Sequence, residues 1–103
     1  MILHVIKWNI NPDKAGTYPK WAETAVKRSI TPGVVQFRAY RPITGNYQVV
    51  TTYEFADLAA WTKWQADANV QKVLDELRTF AVHINIEVWG PSPLVPAPIQ
   101  YYG

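Results

Sequence analysis

The chain has 103 residues, 49% of them hydrophobic and 14% aromatic, enough for one globular domain with a real core. Ten basic against eight acidic residues leave a formal charge of +2 without any basic run, so neither nucleic acid nor an anionic membrane is an expected partner. Cysteine is absent, two histidines (His4 and His83) cannot build a metal site alone, and no apolar run has the length of a membrane span or the pattern of a signal peptide, so a cytoplasmic protein without a bound metal is the default.

From Ile2 to Ile10 the chain alternates, with Ile2, His4, Ile6, Trp8 and Ile10 on one face and Leu3, Val5, Lys7 and Asn9 on the other. Both faces begin apolar, which marks a central strand covered on both sides. Asn11-Pro12-Asp13 is a turn cluster, and Thr17 offers an N-cap to a helix that tolerates Pro19 in its first turn. Tyr18, Trp21, Ala22, Ala25 and Val26 make that helix's apolar stripe, Glu23 and Lys27 pair outside it, and Thr31-Pro32-Gly33 stops it. Val34 to Arg41 reads as a second strand, and the Pro42 to Asn46 segment turns the chain into a third, Tyr47 to Phe55.

The next stretch organises the rest. Asp57 can cap a helical pattern that carries Trp61, Trp64, Val70, Val73, Leu74 and Leu77. At about 100° per residue, Trp61 and Val70 are roughly 900° apart and fall on opposite sides of a straight helix. One rod cannot bury both, so a break is expected around Ala66-Asp67-Ala68-Asn69, with Asp67 or Asn69 capping the second piece. A broken helix over a sheet leaves a gap, and a gap beside His4 lined by Trp61 or Trp64 would admit a small molecule. Val82 to Trp89 is the last strand, with Val82, Ile84, Ile86 and Val88 opposite His83, Asn85, Glu87 and Trp89. From Gly90 onward four prolines exclude helix and sheet interior, yet the segment keeps Leu94, Val95, Ile99, Tyr101 and Tyr102.

The order β-α-β-β-α-β predicts an α+β, ferredoxin-like domain: a four-stranded antiparallel sheet with helices on one face, its first and last strands neighbours at the centre. Residues 1–90 form this domain and residues 91–103 a proline-rich arm that packs on its own domain or on a partner. Several strands carry apolar residues on both sides, so a second copy is expected to cover the open face, closing a dimeric α/β barrel.

Leu3-His4-Val5-Ile6, Thr31-Pro32-Gly33-Val34, Tyr53-Glu54-Phe55 and Asp67-Ala68-Asn69-Val70, in this order, resemble the stress-responsive dimeric α/β-barrel (Dabb) family and, more loosely, antibiotic-biosynthesis-type monooxygenases. The resemblance spans about Ile2 to Trp89. It implies small-molecule chemistry, since the family includes a plant polyketide cyclase that needs no cofactor. The family's pocket histidine on the first strand matches His4, and an acidic residue on the last strand falls near Glu87. The cyclase's base falls on Asn69, so that base is missing, and its tyrosine falls near Lys63 or Trp64. In the monooxygenase relatives and their haem-degrading cousins a tryptophan of this helix is functional, and Trp64 lies close to it. Their accompanying histidine has no counterpart, which counts against haem, and no cofactor is expected.

If the first and last strands pair so that residue numbers sum to 91, His4 faces Glu87 and Trp8 faces His83. A cross-strand His–carboxylate pair would then raise the basicity of the imidazole, as a general base requires. His4 and Glu87 are therefore the candidate catalytic pair, and Trp64, Asn69, Trp8, Trp21, His83 and Asn85 the candidate ligand contacts. His83, Asn85 and Glu87 also fit the plain polar face of a half-buried strand, and Tyr40 and Tyr53 read as sheet or interface residues. No phosphate loop, nucleophile elbow or RNA-binding strand motif is present. The expected function is a cofactor-independent, cyclase- or monooxygenase-like enzyme of secondary metabolism acting on a conjugated aromatic or polyketide-like compound. The alternatives are a non-catalytic binder of an aromatic intermediate or pigment precursor, and a structural dimer that works through its surface or tail.

Overall fold

A computed structural model of the chain describes residues 1–102; Gly103, the end of the expected arm, lies outside them. The elements are β1 (Ile2–Ile10), a single 3-10 turn (Pro12–Lys14), α1 (Tyr18–Ser29), β2 (Val34–Tyr40), β3 (Val49–Phe55), α2 (Leu58–Gln65), α3 (Ala68–Phe80) and β4 (Ala81–Trp89). The four strands form one antiparallel sheet in the order β2-β3-β1-β4. This is the ferredoxin-like fold. β1 and β4 are neighbours as expected, but β1 and β3 hold the centre and β4 is an edge strand. The difference follows from β3, whose Thr51, Tyr53 and Phe55 are buried while β4 has only Ala81 fully covered.

Register decides which side chains share a face. β1 pairs with β3 with His4 opposite Tyr53 and Ile6 opposite Thr51. β1 pairs with β4 with Leu3 opposite Trp89, Val5 opposite Glu87 and Lys7 opposite Asn85; a bulge between Lys7 and Asn9 then shifts the register, so that Asn9 faces Val82. His83 sits at that bulge in the left-handed region, φ 56°, a conformation open to histidine at modest cost. A side chain's face alternates along a strand, so a slip of one residue moves it across the sheet. Ile2, His4, Ile6 and Trp8 therefore face the helices, and Leu3, Val5 and Lys7 face away with Asn85, Glu87 and Trp89.

The second helical segment is broken as its periodicity predicts. Asp57 starts α2 by accepting a hydrogen bond from the Ala60 N–H at 2.9 Å. Asp67 starts α3 by accepting from the N–H groups of Asn69 and Val70 at 2.8 and 3.1 Å. The second cap is thus Asp67 and not Asn69. Thr17 holds the cap position of α1 without capping it, because its hydroxyl donates to the Lys14 carbonyl. The two segments turn Trp64 on one side, and Val70 and Leu77 on the other, into a common core with Ile6, Trp8, Tyr53 and Phe55.

Two further contacts fix the helices. Arg28 of α1 reaches both carboxylate oxygens of Glu76 on α3, at 3.0 and 2.7 Å. Asn11, at the exit of β1, donates its N–H to the Phe80 carbonyl and its side-chain amide to the Thr79 carbonyl, tying that turn to the end of α3. Beyond Trp89 the described residues form neither helix nor strand. Val95 to Pro98 line an open depression together with Met1, Leu3 and Trp89, while Leu94, Ile99, Tyr101 and Tyr102 remain exposed. Asp67→Ala should destabilise the protein by about 1 kcal/mol in urea unfolding, the usual cost of a lost cap, while Asn69→Ala should change it by less than about 0.5 kcal/mol. The reverse ranking would place the helix start elsewhere.

Candidate functional site

An apolar cavity of about 140 Å3 lies between the sheet and the α1–α3 pair. Its floor is Ile6 and Trp8 of β1, Val49, Thr51 and Tyr53 of β3, and Phe37 and Ala39 of β2; Ala22, Ala25, Val26, Val73 and Leu77 contribute to its roof. The space exists because α1 turns the small side chains of Ala22 and Ala25 toward the sheet. Trp21 forms a wall, stacked on Phe80 with ring centroids 4.6 Å apart and held by its indole N–H donating to Glu76 at 2.8 Å. Arg28, together with that indole, holds the Glu76 carboxyl down at about 2, so Trp21 has an ionised anchor at every physiological pH.

The polar groups of the cavity are neutral. Trp8 donates its indole N–H to the Tyr18 hydroxyl at 3.2 Å. The Ser29 hydroxyl donates its single proton to the Val26 carbonyl at 2.8 Å, so its 2.8 Å contact with Tyr53 is one in which the phenol donates. Burial pushes the phenols of Tyr18 and Tyr53 above their ordinary range, against the smaller opposite pull of their hydrogen-bond partners. The Thr51 hydroxyl is buried and has no hydrogen-bond partner. No ionisable side chain other than these two phenols lines the cavity.

His4 stands outside it. The side chain is 1% exposed, and Trp64 fills the space over it, with ring centroids 4.9 Å apart. Trp64, also 1% exposed, donates its indole N–H to the Ser29 carbonyl at 2.9 Å and packs on Tyr53 and Phe55. The expected gap beside His4 is thus occupied by Trp64, and the open space lies between α1 and α3 instead. Trp61 donates its indole N–H to His4 Nδ1 at 3.1 Å, so in the neutral ring the proton is on Nε2, which has no partner. Burial lowers the imidazole to about 4. Its one lone pair is taken, which leaves it a donor and not a base.

The other expected contacts divide. Trp8 and Trp21 line the cavity. Glu87 does not reach His4: the pairing slips by one residue and puts it opposite Val5, on the outer face, where it accepts from Trp89 at 3.0 Å and lies 3.5 Å from Lys7 Nζ. Asn85 shares that outer face with Lys7. Asn69 is exposed in the first turn of α3, and His83 is exposed at the bulge beside a shallow surface depression. Thr51, Tyr18 and Phe37 line the cavity without being among the expected contacts, as does Tyr53, expected as a sheet or interface residue. The signal for Thr51 and Tyr53 was the parity of VVTTYEF, which places both on one face with Val49. Among the described residues no group of His, Cys, Asp or Glu is placed to hold a metal ion, and no helix is long and apolar enough to cross a membrane.

Residues 1–76 match the family model described as antibiotic biosynthesis monooxygenase. The chain belongs to this family. Its broader likeness in structure runs to Dabb proteins as well. A Dabb family protein with a ferredoxin-like fold from Mesorhizobium loti is 22% identical, with a TM-score of 0.77 over 88% of this chain and 96% of that one. SnoaB from Streptomyces nogalater, described as a cofactor-independent oxygenase, is 17% identical, with a TM-score of 0.69 over 93% of this chain and 97% of its own. A dimeric ferredoxin-like protein from Thermobifida fusca is 12% identical, with a TM-score of 0.65 over 85% and 88%. Among curated proteins none matches the sequence. As a member of the antibiotic biosynthesis monooxygenase family, the chain is a monooxygenase-like small-molecule protein.

The state of His4 is measurable through stability. Its folded value is about 4 against 6.5 for the free side chain, because burial disfavours the cation. The unfolded chain therefore binds the proton first, and stability is full above pH 6.5 and lost as pH falls toward 4, by roughly 3 kcal/mol at most. Urea unfolding of His4→Gln, which cannot titrate, should show a shallower dependence across that window; the same slope as the parent would mean that His4 is not held neutral. Loss of the Glu76 carboxylate belongs to lower pH, between its ordinary value and about 2.

Proposed function

We propose that this protein is a cofactor-independent, monooxygenase-like enzyme that binds a conjugated aromatic substrate in the cavity between the sheet and α1–α3. The observation that carries the reading is the cavity itself: apolar, walled by the Trp8 and Trp21 rings, and lined by the phenol-bearing Tyr18 and Tyr53. Family membership and the description of SnoaB as a cofactor-independent oxygenase support the reaction class. In such a reaction the substrate is the reductant. A ring methylene becomes a carbonyl as O2 supplies one oxygen atom to carbon and the other leaves as water with the two hydrogens removed.

The chain's part in that step is to hold the ring and exclude water, with Trp8 and Trp21 as positioning surfaces. His4 and Glu87, one with its lone pair engaged and the other across the sheet, do not support a base from the protein. The proton therefore has to leave from an acidic substrate. This absence of an ionised group in the cavity also favours a second reading, a non-catalytic binder of an aromatic intermediate. Two copies stacked through their outer sheet faces complete the proposal. The exposed Tyr40 and Trp89 and the half-buried Leu3 and Val50 on that face support it, as does the Thermobifida fusca protein described as dimeric. The arm, which lines a depression with Leu3 and Trp89, would border that interface.

Oxygen uptake with a panel of hydroxylated aromatics tests the enzyme reading. One O2 per substrate is expected of the more acidic members of the panel, and Trp21→Leu should lower kcat/KM by about tenfold through lost ring stacking. Saturable binding with no oxygen consumed would move the protein to the second reading. Sedimentation velocity tests the assembly: the parent should be a dimer and Leu3→Glu a monomer, whereas a monomeric parent across the micromolar range removes the barrel.

A further inference from the structure

The outer face of the sheet carries its charges in register. Arg38 of β2 stands opposite Thr52 of β3, Thr52 opposite Val5 of β1, and Val5 opposite Glu87 of β4. One row therefore crosses all four strands with a cation at one edge and a carboxylate at the other. On one side of it lies the row Gln36, Glu54, Leu3 and Trp89, and on the other Tyr40, Val50, Lys7 and Asn85, so the charged row is the middle one. Arg38 is exposed, lies over the Tyr40 ring at 5.4 Å, and has no carboxylate within ion-pair distance among the described residues. Glu87 meets both the Trp89 indole N–H, at 3.0 Å, and the Lys7 ammonium, at 3.5 Å, through Oε1, which leaves Oε2 to a further donor.

Two copies stacked through this face with their strands aligned are related by an axis that runs either across the strands or along them. An axis across the strands sets each strand over its own counterpart. Arg38 then lies over the partner's Arg38 and Glu87 over the partner's Glu87, a like-charge contact at each edge. An axis along the strands keeps each row and reverses its order, so that β2 meets β4 of the second copy. Arg38 then meets the partner's Glu87, twice by symmetry, and Thr52 lies over the partner's Val5 between them. Stacked sheets stand about 10 Å apart, and closing a barrel brings the edge strands nearer than the middle ones, within the span of an arginine and a glutamate side chain.

We infer that the two-fold axis of the dimer runs along the strands and that Arg38 of each copy pairs with the partner's Glu87 at the two seams of the barrel. This rests on the dimer of the proposed function and goes beyond it by fixing which edges meet and through which charges. The other face of β2 carries Phe37 and Ala39 of the cavity, so each copy braces the strand that bounds the other's ligand site.

A charge exchange read by sedimentation over a concentration series tests the pairing. Arg38→Glu and Glu87→Arg each turn both seams into like-charge contacts, and each should raise the dimer dissociation constant by at least about tenfold. In an equimolar mixture of the two variants opposite charges meet again at both seams, so association should return to within about threefold of the parent, as it should in the chain carrying both exchanges. That recovery also shows that the single variants fold. Single variants that dimerise as tightly as the parent would overturn the pairing and leave the dimer standing. Weakening that neither the mixture nor the double exchange relieves would overturn it as well, since the two residues would then lie in the interface without meeting. A parent that stays monomeric across the micromolar range removes the dimer itself, and this inference with it.

Discussion

The indole of Trp64 joins three parts of the fold that the chain order does not bring together. It lies near the end of α2, donates to the carbonyl of Ser29 at the end of α1, and packs on Tyr53 and Phe55 of the central strand β3. The last carbonyls of a helix have no partner within it, so the indole satisfies a group that would otherwise be buried and unpaired. A helix broken between Gln65 and Ala68 should leave a hole over the sheet, and this ring fills it. Two consequences follow from that one placement. His4 is sealed beneath it, and the free volume moves to the space where α1 turns Ala22 and Ala25 toward the sheet.

Charge and neutrality are then sorted by layer. Glu76, Arg28 and Lys72 gather on the helix side, where water reaches them, and only the Trp21 indole carries their influence to the cavity wall. Inside, the hydroxyls of Tyr18, Tyr53 and Ser29 are chained to indole and carbonyl partners. On the outer face of the sheet Lys7 lies within reach of Glu87 and over the Trp89 ring. The two faces of β1 thus differ in kind: one builds an apolar, hydroxyl-bearing interior, and the other presents a mixed surface of the sort that a second copy can match.

Much of the architecture was legible because it follows from periodicity. The 900° separation of Trp61 and Val70 forces a break in any sequence that must bury both sides, and Asp57 and Asp67 mark where each piece begins. The site was less legible, for two physical reasons. The pairing of β1 with β4 depends on a bulge at Lys7 to Asn9, and an extra residue there carries no composition of its own; it moves Glu87 from beside His4 to the opposite face. Either Trp61 or Trp64 is expected to line a gap, but pattern alone does not tell a ring that lines a gap from one that fills it. That depends on the distance between helix and sheet, which β3 and the size of the indole set together.

A cavity that keeps Tyr18 and Tyr53 protonated imposes the same condition on whatever it binds. Burial raises their phenols because a phenolate loses more hydration than the apolar walls and a few hydroxyls return. A bound phenol meets that same environment, so the cavity selects the neutral form of a simple hydroxyaromatic and resists its ionisation. Oxygenation without a cofactor needs an electron-rich anion, and so the chemistry of such a site is confined to compounds whose own acidity overcomes that resistance. Ligands of ordinary phenol acidity would be held intact. Under the proposed function, one pocket therefore acts as an oxygenase toward acidic substrates and as a carrier toward the rest, the distinction lying in the ligand's proton and not in a residue of the protein.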